Sequence, residues 1–173
     1  NIHEGIRTIM GEIASQAHYV LSDDFLKEQW RDVLEQSGPN RALNEMLALW
    51  AKTSDNPIVL LIDEIDSLVG DTLISVLRQL RAGYPQRPAL FPQSVVLCGV
   101  RDVRDYRIHS DRDKAIITGG SAFNIKAESL RLRDFSREDV ETLYHQHTQE
   151  TGQVFEEDAL DSVWKLTSGQ PWL

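Results

Sequence analysis

The sequence predicts an α/β protein: a parallel sheet with flanking helices, followed by the start of a helical lid subdomain. Two observations carry this expectation. First, two short apolar runs, IVLLI at 58–62 and SVVLCG at 94–99, are separated by a segment whose apolar residues recur at helical spacing. Strands that alternate with helices tend to pair in parallel. Second, the chain from about Arg133 onward shows helical periodicity alone. The expected division is a sheet-bearing core over 1–132 and a helical lid over 133–173 that is incomplete at its C-terminal end.

The elements follow in order along the chain. Ile2, Ile6, Ile9, Ile13, Ala17 and Val20 mark a first helix within 2–20. A second helix runs over 23–35, with Ser22 as its candidate N-cap, and Gly38-Pro39-Asn40 breaks it. Leu43, Met46, Leu47, Leu49 and Trp50 place a third helix over 41–52. After the turn Ser54-Asp55-Asn56-Pro57, the run 58–62 is continuously apolar, as expected of a strand buried on both faces. A helix over 71–82 turns Leu73, Val76, Leu77 and Leu80 inward and stops at Gly83-Tyr84-Pro85. Residues 94–99 form a second buried strand, in which Cys98 is an inert core residue. The polar segment 101–121 is expected to be a long loop or short helices, and 128–132 a third, weaker strand. Ser136 with Asp139 three residues on forms a capping-box-like start for a helix to 149. A last helix covers 156–166, and 167–171 is a break.

Composition narrows the function classes. With 173 residues the chain can bury a core without staples. Its net charge of −9 opposes unselective nucleic-acid binding. Seven arginines do crowd residues 78–112, but Arg101-Asp102, Arg104-Asp105 and Asp111-Arg112-Asp113 interleave them with acids, so solvated loop charge is the simpler account. The sharper alternatives are an arginine finger or contacts to a phosphate backbone. No apolar run approaches the roughly 20 residues of a membrane span. The single cysteine fits a reducing compartment, and a cytoplasmic protein is expected.

The acids that follow the first apolar run point to chemistry. A parallel strand delivers its C-terminal end to the sheet edge where ligands bind. There Asp63 can hold Mg²⁺, usually through water, and Glu64 can orient or deprotonate the water that attacks a γ-phosphate. Together 58–66 read as the strand and acidic tip of a Walker B motif. Asp66 is a further acid nearby.

Four segments then carry a family resemblance: PIVLLIDEIDSLVGDTLISVLRQLRAGY (57–84), FPQSVVLCGVRDVRDY (91–106), LRDFSREDVETLYHQHTQETG (132–152) and TSGQPWL (167–173). They resemble bacterial AAA-like ATPases near the AAA+ and STAND branches of the P-loop NTPases. The resemblance implies a partial P-loop NTPase sheet, ATP and Mg²⁺ as cofactors, and Walker B roles for Asp63 and Glu64. It also implies a sensor residue at Arg101 or Asp102, and a GxP element at Gly169 and Pro171 near the adenine. Gly169 and Pro171 also suit an ordinary helix C-cap glycine followed by a proline stop.

One departure is plain. No G-x-x-x-x-G-K-[ST] string, whose amides cradle phosphates and whose lysine reaches them, occurs in the chain. The sequence is therefore expected to be an excised piece of a longer protein, inactive alone, with that loop upstream of Asn1. The expected function is an ATP-binding, ATP-hydrolysing switch with ATP and ADP as partners. Self-association or protein partners would engage through flanking chain, and no membrane is expected. The rivals are a non-catalytic scaffold or interaction domain and a nucleic-acid-associated ATPase.

Overall fold

The computed structural model describes residues 1–68, 70–100, 107–109, 116–118, 128 and 130–171, and of 107–109 and 116–118 only the backbone. The chain forms two compact units, Asn1–Ala127 and Glu128–Leu173.

Four helices make most of the first unit: α1 (Ile2–Leu21), α2 (Phe25–Ser37), α3 (Ala42–Thr53) and α4 (Gly70–Gly83). Each carries one apolar stripe, and each stripe is buried. In α1 it is Ile6, Met10, Ala14 and Ala17; in α2, Leu26, Trp30, Val33 and Leu34. In α3 it is Ala42, Leu43, Met46, Leu47 and Trp50; in α4, Leu73, Ile74, Val76, Leu77 and Leu80. The helices pack α1 on α2, α2 on α3, and α4 on both α1 and α3. These stripes, with Phe91, supply most of the core.

The joints between helices use polar groups in a specific way. Ser22 does not cap α2; it closes α1 with a left-handed backbone (φ 56°). Asp23 takes the capping role instead. Its Oδ1 accepts from the Phe25 amide at 2.9 Å and its Oδ2 from the Trp50 indole at 2.8 Å, which ties the start of α2 to α3. The start of α3 has no capping side chain of its own. Gln79, on α4 and 3% exposed, reaches across and accepts from the amides of Leu43 (2.9 Å) and Asn44 (3.2 Å). Those are the amides an N-cap side chain normally satisfies. The Gln79 Nε2 donates to the Pro39 carbonyl and to Ser75 Oγ, and Asn44 Nδ2 donates back to the Gln79 carbonyl.

Two strands accompany the helices, β1 (Val59–Ile62) and β2 (Ser94–Leu97), paired in parallel with Leu60 opposite Val95 and Ile62 opposite Leu97. Leu60, Ile62, Val95 and Leu97 face the core. The other face is uncovered: Val59 is 53%, Leu61 68% and Val96 44% exposed. The expectation of strands buried on both faces is thus corrected. Cys98 lies just past β2 and is exposed, not a core residue.

The expected fold class is corrected as well. Among the described residues the chain is mostly helical, and the only parallel sheet has two strands. It is not the parallel sheet of a P-loop NTPase with flanking helices. The physical reason lies in what the stripes bury. Those expected to cover a sheet bury one another, and two strands of four residues offer too little surface for all of them. The third strand expected at 128–132 does not form: residues 128 and 130–132 are exposed and irregular. Two short strands appear instead within 101–121, where a loop or short helices were expected. They are β3 (Arg107–His109) and β4 (Ile116–Thr118), paired antiparallel. Ile116-Ile117-Thr118 is a β-branched run, which favours extended backbone.

The second unit holds α5 (Arg137–Thr151) and α6 (Glu157–Thr167). Ser136 caps α5 in a reciprocal box with Asp139, as its spacing predicts. Arg137 pairs with Glu141 on its own helix and with Asp161 on α6. Tyr144 meets Phe155 edge-on at 4.7 Å.

Two measurements follow. Gln79→Ala strands one buried amide, a half-buried amide and a half-buried carbonyl, so it should lower unfolding stability by about 3 kcal/mol, whereas Ser75→Ala should cost about 1 kcal/mol. Equal, small losses in urea titrations would remove Gln79 from this role. The second concerns pH. The Ser136 hydroxyl and amide both donate to Asp139 Oδ2 (2.7 and 2.9 Å) and hold its carboxyl below the usual aspartate value. The cap therefore contributes fully above that ordinary value, about pH 4, and is lost as pH falls through the lower folded value. Followed by its carboxyl carbon shift, Asp139 should titrate below pH 4, and Ser136→Ala should move its midpoint upward.

Candidate functional site

The site is built at the C-terminal ends of β1 and β2. The Cys98 amide donates to the Ile62 carbonyl at 2.8 Å, and the Ile65 amide donates to the Cys98 carbonyl at 3.0 Å. The chain of β1 thus stays bonded to the end of β2 past its last strand residue. Ile65, 1% exposed, plugs into the core and opens a 3-10 turn over Ile65–Ser67. Between these two fixed points sit Asp63 and Glu64, both exposed.

Glu64 adopts the left-handed conformation, φ 51° and ψ 39°. That conformation costs a residue with a Cβ about 1–2 kcal/mol. It persists because both sides are pinned, by Ile62 and Ile65 to Cys98 and by the 2.8 Å bond from the Ser67 amide to the Glu64 carbonyl. The Glu64 amide donates to Asp63 Oδ1 at 2.8 Å, which orients that carboxylate. Both acids lie beyond Ile62, the last residue of β1, so strand alternation does not separate them; the turn does.

Sequence reasoning gave Asp66 no role. Half-buried, its Oδ2 accepts from the Val100 amide at 3.4 Å, a long bond that reaches from the acidic turn to the chain after β2. Gln79 was missed too. The signal for it was a pair of polar residues four apart, Ser75 and Gln79, set within an otherwise apolar helix face.

The remaining candidates fall elsewhere. Arg101 and Asp102 lie outside the described residues, as do Arg104 and Arg112. Gly169 and Pro171 belong to the second unit. Gly169 is buried with φ 81°, and a Cβ on it would sit 2.0 Å from the Phe135 carbonyl oxygen. Its own carbonyl accepts from the Phe135 amide at 2.9 Å. This close approach gives Gly169 a packing reason of its own, while Pro171 is exposed in a turn.

The donor chemistry fits a hard cation held in part by other ligands. Among the described residues no three His, Cys, Asp or Glu side chains gather to hold a metal. Mg²⁺ does not require such a cage; it is commonly held by one or two carboxylates plus phosphate oxygens and water. An exposed, oriented Asp63 meets that requirement, with Glu64 adjacent. Also among the described residues, no helix is long and apolar enough to cross a membrane.

Comparisons with protein-family models, with curated proteins and with solved structures find no match to this chain.

The strained turn can be tested on its own. Glu64→Gly should raise unfolding stability by about 1 kcal/mol, because glycine accepts the left-handed backbone without penalty. A loss of stability in urea titration would mean that Glu64 is not strained.

Proposed function

We propose that the acidic turn handles Mg²⁺ and an attacking water in an ATP-binding, ATP-hydrolysing switch protein. The observation that carries this is Glu64. A non-glycine residue in a left-handed turn, held from both sides at the C-terminal end of a parallel strand and next to an oriented carboxylate, is the kind of local strain that persists where function needs it. Asp63 would hold Mg²⁺, largely through water, and so would neutralise charge on the phosphates. Glu64 would orient the water or accept its proton. Since the 173 residues contain no G-x-x-x-x-G-K-[ST] string, the phosphates would be held by other groups. Arg101 is kept as a proposed nucleotide contact on the family resemblance alone. The single cysteine supports a reducing, cytoplasmic setting.

A second proposal has its own observation. Val59, Leu61 and Val96 leave one face of the β1–β2 pair apolar and uncovered, which favours a non-catalytic interaction domain.

The test uses the natural polypeptide that carries these residues. Glu64→Gln should bind Mg²⁺–ATP as the wild type does and hydrolyse it about 100-fold or more slowly. Asp63→Asn should weaken binding only when Mg²⁺ is present. Unchanged turnover in Glu64→Gln excludes it as the water-handling group, and no ATP binding by the wild type leaves the interaction domain.

A further inference from the structure

We infer that Asp66 is a positioning residue that couples the acidic turn to the chain leaving β2, so that what occupies Asp63 and Glu64 is felt at Gly99 and Val100. This rests on the proposed nucleotide role of the turn. Three observations carry it. Asp66 sits in the 3-10 turn that begins one residue after Glu64, so the turn and the carboxylate move together. Its Oδ2 accepts from the Val100 amide, 34 residues away in sequence, across the ends of the two strands. Finally, a Cβ at Gly99 would lie 3.0 Å from Asp66 Oδ1 and 3.0 Å from Ile65 Cγ2. The chain after β2 thus passes closely over the turn, and a side chain at residue 99 would press on Asp66.

The contact is suited to a changeable link. At 3.4 Å it is longer than the 2.8 and 3.0 Å backbone bonds through Cys98 beside it, so it can tighten without disturbing β1 and β2. A cation at Asp63 would draw the turn toward itself, and Asp66 is the side chain that transmits this to the Val100 amide. Asp66 itself touches no substrate in this account.

The experiment is hydrogen exchange at the Val100 amide in the natural polypeptide, with and without Mg²⁺–ATP. The variants are Asp66→Ala, which removes the acceptor, Asp66→Asn, which keeps an oxygen there, and Gly99→Ala, which crowds the contact from the other strand. Without nucleotide, Asp66→Ala should speed Val100 exchange by roughly fivefold; Asp66→Asn should restore most of the protection. With Mg²⁺–ATP, Val100 should gain protection in wild type and Asp66→Asn, and not in Asp66→Ala or Gly99→Ala, whose ATP affinity should fall by the factor of protection lost, because a coupling free energy is reciprocal. A purely structural role would instead change exchange throughout β1 and β2 and would not depend on nucleotide. Equal Val100 exchange in wild type and Asp66→Ala overturns the contact. Equal nucleotide protection in those two overturns the coupling while leaving the nucleotide role standing. If the wild type does not bind Mg²⁺–ATP, the nucleotide role fails and the coupling falls with it, and the nucleotide-free arm still decides the contact.

Discussion

The first unit is organised around the side-chain amide of Gln79. Helix α3 begins with two backbone amides that its own sequence cannot satisfy, because Arg41 supplies no capping oxygen. A helix end without partners inside a core costs more than most single contacts return. Gln79 resolves this from a different helix, and its amide nitrogen satisfies the Pro39 carbonyl at the same time. One side chain therefore fixes how far α4 may slide along α3. Since α4 follows the 3-10 turn closely in the chain, that register also bears on where the acidic turn is held.

From this anchor the constraints extend outward to the turn. Apolar packing holds Ile65 from below, and Cys98 holds the backbone on both sides of Asp63 and Glu64. The left-handed Glu64 is the residue on which these constraints converge. A rigid base beneath a strained, exposed pair of acids is an economical way to orient carboxylates without burying them, which would cost desolvation.

Much of the local structure was legible in the sequence, and the reason is periodicity. The spacing of Ile6, Ile13 and Ala17, and of Leu43, Met46 and Leu47, is one that a helix gathers on one side; Met10 and Ala14, outside the expected pattern, complete the α1 stripe, and Val20, inside it, is 70% exposed. Ser136 and Asp139 were legible too, because their reciprocal bonds are local. What periodicity leaves open is the identity of the covering surface. Helices flanking a sheet are the expectation, and the stripes of α1 to α4 instead pack against one another. Ser22 and Asp23 show a similar limit: both are good cap residues, and the choice fell to Asp23 because Trp50, 27 residues away, offers its indole N–H to the same carboxylate. The acids Asp63 and Glu64 were legible as a pair, whereas the bond from Val100 to Asp66 depends on strand pairing that no local pattern encodes.

The uncovered face of β1 has a consequence for how the chain behaves in company. Val59-Leu60-Leu61-Ile62 is a short, uncharged, β-favouring stretch, with Val59 and Leu61 open to solvent. Such a stretch is a template for stacking against its own kind. Here it is bracketed by Asp55 on one side and by Asp63, Glu64 and Asp66 on the other. Two such stretches brought into register would set those carboxylates against one another, and like charges in that position repel. The acids at the strand's end thus act as gatekeepers against aggregation, a duty set by their charge and position alone.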